Sequence, residues 1–249
     1  MPKEKYLNCI KCLVKPADAN SHVVPNSIRK RIYGEMTEKG KKFSFIYLNR
    51  SDLSNQDFPK PHLMCTDCDN KFGSDLEKDL PAILMPANVN DPKDWDKLNL
   101  KKLNHGPFKE YSLEAQPLLK RNAALIAWKV MYAVVRDGKA PELSHYLDTP
   151  AGKTLDRAIL NFITGQEDPQ HTISLREPVF WKIEPQTAAA ITGKNDALSI
   201  SYAVIYEDGK PENAIILAVF GLWVVAWELP ESTLSRNEIL ANWLRGLAI

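Results

Sequence analysis

The chain has 249 residues, 44% of them hydrophobic and 25% charged, and a formal net charge of +1 at pH 7. That composition supplies enough apolar side chains for a real core and excludes a low-complexity chain, leaving room for one large domain or two small ones. The most apolar run, residues 214–227, is shorter than the roughly 20 residues of a transmembrane helix, so it is expected to be a buried strand. The first six residues have no apolar stretch behind their charges, so no secretory signal is expected and the chain is expected to be cytoplasmic.

Residues 1–20 contain Cys9-Ile10-Lys11-Cys12 and its exit. Residues 26–38 read as a short helix capped by Asn26 or Ser27. Residues 43–48 alternate and are β-rich, which predicts a strand, and residues 51–61 form a polar, proline-containing loop. Cys65-Thr66-Asp67-Cys68 follows, with a helix expected over 70–80 and a linker or surface excursion over 83–106. Ser112-Leu113-Glu114-Ala115 resembles a capping box, and apolar residues at helical spacing run to Arg136, where Asp137-Gly138 ends the helix. A second helix is expected over 150–163, stopped by Gly165.

From Ile173 the pattern becomes that of strands. Val179, Trp181 and Ile183 share one parity, and Leu198, Ile200, Tyr202, Val204 and Tyr206 share another. Residues 207–212 connect a hairpin into one strand over 214–229, and residues 232–247 close as a helix. Trp128, Trp181, Trp223, Trp227 and Trp243 are assigned to the core. No internal repeat is present. The fold class expected is α+β: a zinc-binding module with its linker over residues 1–110, then a helical segment and an antiparallel β-sheet over 111–249.

All four cysteines lie in two Cys-x-x-Cys knuckles, Cys9/Cys12 and Cys65/Cys68. Thiolates are zinc ligands, and two such pairs complete a tetrahedral site. Paired thiols in a reducing compartment favour metal over a disulfide. The insert between the knuckles is long enough to carry its own secondary structure, which suggests a treble-clef-like unit whose folding energy comes partly from Zn²⁺.

Between the knuckles stands Ser21-His22-Val23-Val24-Pro25, and the second knuckle reads Leu63-Met64-Cys65-Thr66-Asp67-Cys68-Asp69-Asn70-Lys71. In order, spacing and apolar flanks, residues 6–75 resemble the HNH, or His-Me finger, nucleases. The resemblance implies a structural zinc and a second divalent ion, Mg²⁺ or Mn²⁺, at a phosphodiester. It implies His22 as general base and Asp69 as ligand of that ion. The motif departs from the family at Ser21, where Asp or His is usual, and His62 before the second knuckle is read as an exposed loop histidine. Two roles for His22 therefore stay open: catalytic base, or structural group within the zinc unit.

The charge is unevenly spread, with 19 basic against 15 acidic residues over 1–110 and 13 against 16 over the rest. The run Arg29-Lys30-Arg31, followed by Lys39, Lys41 and Lys42, suits phosphate contacts, and equally suits a solvated helix face. Two functions follow. One is an HNH-like endonuclease acting on nucleic acid. The other is a catalytically inactive, zinc-stabilised module binding DNA, RNA or a protein partner. Self-association through the 214–227 strand of the C-terminal domain is a further partner reading, provided that strand is an edge.

Overall fold

The computed structural model describes residues 7–28, 45–47, 53–54, 61–81, 100–102, 108–111, 117–166, 173–183, 200–207, 209–220 and 223–230. The basic run from Arg29, Lys39 to Lys42, Trp243 and the closing helix expected over 232–247 lie outside them. Of the helix expected over 26–38, residues 26–28 are described and helical.

The long apolar helix α2, Pro117–Arg136, is the centre of the molecule. Proline opens it, where a missing N–H costs nothing, and alanines at 123, 124, 127 and 133 favour helix while letting neighbours approach. It ends in a Schellman arrangement. Lys139 N–H donates to Val134 O and Gly138 N–H to Val135 O, with Gly138 at φ 67°. The described helix begins at Pro117, and the capping box expected at residues 112–115 lies outside the described residues.

Two helices follow. The spacing did not reveal α3, Pro141–Asp148, but α4, Pro150–Thr164, matches the expected helix. Thr149 Oγ1 accepts from Gly152 N–H at 3.1 Å and caps α4, and Gly165 ends it at φ 69°.

Among the described residues, eight strands form one sheet: β1 Phe45–Tyr47, β2 Leu53–Ser54, β3 Leu100–Lys102, β4 Phe108–Tyr111, β5 Val179–Ile183, β6 Ile200–Glu207, β7 Lys210–Phe220 and β8 Trp223–Glu228. Their spatial order is β2-β1-β6-β7-β8-β5-β4-β3. The pairing is antiparallel throughout except between β1 and β6, which run parallel. The class is therefore α+β.

The stretch read as one strand over 214–229 is two. β7 and β8 pair with each other, Leu217 opposite Ala226, and every described residue of β8 is buried. Both strands are flanked on each side, so this stretch is not a sheet edge. A continuous apolar run signals burial on both faces and does not show where the chain reverses. β2 and β3 likewise fall in segments read as loop and linker.

The division expected near residue 110 falls inside β4. β1, β3 and β4, all beginning before that point, join the same sheet as β5 to β8. Buried side chains from both knuckles, from α2 and from β7 and β8 form one continuous cluster. Trp128, Trp181, Trp223 and Trp227 are fully buried, as assigned. No helix among the described residues is long and apolar enough to cross a membrane.

Candidate metal centre

The first knuckle sits on a tight hairpin. Ala17 N–H donates to Leu7 O, Cys9 N–H to Lys15 O, and Leu13 N–H to Cys9 O, each at 2.8–2.9 Å. Leu13 takes a left-handed backbone, φ 60°, so that the chain can turn sharply past Cys12. The second knuckle lies at the start of α1, Thr66–Phe72, with Cys65 as its N-cap residue and Cys68 in the first turn. A five-residue π turn, Gly73–Glu77, continues it. The helix thus begins four residues earlier than the 70–80 expected.

Backbone hydrogen bonds bring the two knuckles together. Ile10 N–H donates to Leu63 O and Ala19 N–H to Met64 O, both at 3.0 Å, and Asn20 pairs antiparallel with His62. The Sγ atoms of Cys9, Cys12, Cys65 and Cys68 all lie within 4.8 Å of one another. Four sulfurs about 2.3 Å from a common Zn²⁺ would be about 3.8 Å apart, so the donor set fits a tetrahedral ion. This tetra-cysteine cluster can hold a metal ion.

The electrostatics bear on how the cluster could take a cation. The amides of Lys15 and then Val14 point at the Cys12 sulfur and lower its pKa to about 6. Burial raises that of Cys65, and burial together with the neighbouring sulfurs of Cys65 and Cys9 raises that of Cys68. Burial thus works against the thiolates of Cys65 and Cys68, and a divalent cation bound by the sulfurs would offset that cost.

The surroundings brace the frame. Lys15 pairs with Asp67 across the two knuckles, and Lys11 Nζ lies 4.0 Å above the Phe72 ring. Three polar residues on α2, spaced by seven, reach the segments that carry the knuckles. Asn122 Nδ2 donates to Leu76 O at 2.8 Å, Lys129 Nζ to Glu77 Oε1 at 2.6 Å, and Arg136 to Asn8 O at 2.7 Å. Phe72 meets Trp128 edge-on at 6.3 Å between centroids.

Of the residues singled out from the sequence, the structure brings the four cysteines together. His22 is half-buried, and its carbonyl accepts from Lys129 Nζ at 3.2 Å. Ser21 is completely buried and its hydroxyl makes no hydrogen bond among the described residues. Asp69 is half-buried, and its Oδ1 is buried without a hydrogen-bond partner among them. His62 is half-buried and bridged to Asn20, not an exposed loop residue. Among the described residues the cysteines are the one cluster of three or more such ligands, so His22 and Asp69 belong to no second cluster.

Reading the sequence missed Asn122, Lys129 and Arg136. Their signal was present: three polar residues at heptad spacing along a mostly apolar helix. Compared with protein-family models, curated proteins and solved structures, the chain matches none.

Proposed function

We propose that residues 6–75 form an HNH-like treble-clef module around a structural Zn²⁺, and that the protein is a metal-dependent nuclease acting on phosphodiester bonds. The observation that carries this reading is the pairing of Asn20 with His62. It lays the segment entering His22 beside the segment entering Cys65, so the imidazole and the Asp69 helix are built on one frame pinned by four thiols.

In this reading His22 takes a proton from the attacking water. Asp69 Oδ1, a buried carboxylate oxygen without a partner among the described residues, suits an oxygen-seeking cation. Mg²⁺ or Mn²⁺ commonly takes only one or two protein carboxylates and fills its remaining positions with water and phosphate oxygens. Such an ion supplies charge stabilisation at the leaving oxygen. Arg29, Lys30 and Arg31 contact the phosphate backbone.

One observation favours a second reading, a zinc-stabilised binding module without catalysis. Ser21 stands where the HNH family carries an acidic or histidine ligand, and it is completely buried and neutral. The test is cleavage of plasmid and single-stranded DNA and RNA with each divalent ion, for the parent and His22→Ala side by side. The nuclease reading expects the variant to keep zinc and fold and to lose about 10²–10⁴ in rate. If the parent cuts nothing, or both cut alike, the binding module replaces it. Binding that weakens with salt, with a slope flattened by Arg29→Ala and Arg31→Ala, then identifies nucleic acid as the ligand.

A further inference from the structure

Lys129 lies in the apolar middle of α2, between Trp128 and Val130, and is 1% exposed. A buried ammonium is costly unless it is paired, and an apolar side chain of similar length would pack there without that cost. Its three N–H donors reach two acceptors on the metal unit: Glu77 Oε1 at 2.6 Å and the His22 carbonyl at 3.2 Å. Glu77 closes the π turn that continues the Asp69 helix. One side chain from the central helix thus ties the main chain of His22 to the element that follows Asp69. Asn122 and Arg136, on either side along α2, hold Leu76 and Asn8 instead.

We infer that Lys129 is a positioning residue for His22. Glu77 orients the ammonium, and the ammonium fixes the His22 carbonyl, which sets where the ring stands relative to α1. The inference rests on the nuclease reading for its catalytic consequence, but the fixing of the His22 main chain stands on its own.

The test uses the full chain loaded with zinc, as the parent, Lys129→Met and the double variant Lys129→Met/Glu77→Met. The single variant leaves a carboxylate unpaired and lowers the melting temperature. The double variant leaves no charge unpaired and recovers it, so stability and positioning separate. In the double variant the NMR order parameters of the His22 and Val23 amides are expected to fall from about 0.85 to below about 0.6. With Mg²⁺, kcat is expected to fall about 10²-fold, the scale of an ångström misplacement, with KM little changed. Order parameters equal to the parent's in the double variant overturn the inference whatever happens to kcat. So does a kcat of the double variant equal to that of a parent that cleaves. If the parent does not cleave, the nuclease reading falls, and the order parameters alone decide whether Lys129 fixes the His22 segment.

Discussion

The carboxylate of Asp18 accepts the backbone N–H of Thr66 at 2.7 Å and the Thr66 hydroxyl at 3.2 Å. Thr66 is the first residue of α1, and the N-cap residue Cys65 makes no side-chain cap of its own. The segment leaving the first knuckle therefore caps the helix that carries the second. Cys65 offers no side-chain oxygen to the helix start, so the cap comes from elsewhere in the chain.

The Thr66 N–H holds the Asp18 pKa below the usual carboxylate value. A folded-state value below the unfolded one means stability that is present above about pH 3.9 and is lost as pH falls through the folded value. Asp18→Ala should lower the melting temperature at neutral pH, and the difference from the parent should shrink as pH falls below the usual carboxylate range. Thermal melts of both proteins across that range check it. A difference independent of pH would count against the capping role.

The four thiols should take about one Zn²⁺ per chain, read by elemental analysis. Cys9 and Cys65 belong to the same buried cluster as Trp128 and Trp227, so stripping the metal should lower the melting temperature of the sheet as well as of the knuckles. Cys68→Ser should lower zinc affinity, and acid should release the metal as the thiolates protonate. A metal-free preparation with four reactive thiols and the parent's melting temperature would remove the metal centre.

Gly152 and Gly165 should respond differently to alanine. A Cβ on Gly152 would lie 2.1 Å from the Tyr146 carbonyl oxygen and 2.6 Å from Leu147 Cα, all backbone at the α3–α4 corner that cannot move aside. Gly152→Ala should cost about 3 kcal/mol or more. At Gly165 the nearest atoms are the Arg121 guanidinium from 3.5 Å, and the strain comes from φ 69°. Gly165→Ala should cost about 1 kcal/mol. Denaturant unfolding of both variants ranks them, and equal losses would contradict the close approach.

Asp156 accepts from Trp128 Nε1 at 2.7 Å and lies in the α2–α4 interface, where burial raises its pKa. For a carboxylate with a raised folded value, stability is greatest below the unfolded pKa and is lost as pH rises through the folded one. Asp156→Asn keeps an oxygen acceptor for Trp128 and removes the charge. It should melt higher than the parent at neutral pH and match it near pH 3. A lower melting temperature at neutral pH would show that the charge itself is needed there.

The sequence by itself determined the elements whose signals are local. Two Cys-x-x-Cys knuckles announced one four-thiol cluster, because a two-residue spacer suits a single turn that presents both sulfurs to one ion. α2 and α4 were legible from helical spacing and from Gly138 and Gly165, whose left-handed backbone closes each helix. The tertiary structure decided what depends on partners distant in the chain. β1 has its place in the sheet through a parallel pairing with β6, more than 150 residues away, and a three-residue strand carries no trace of that choice. The 214–229 run is equally apolar on both sides of its reversal, since both of its strands are interior, so periodicity could not divide it. Asp18 as a helix cap and Lys129 as the anchor of His22 were likewise invisible, because each bonds across 48 and 107 residues of chain. Hydrophobic spacing records which face of an element is buried, and hydrogen bonds between remote segments are set only when the chain closes on itself.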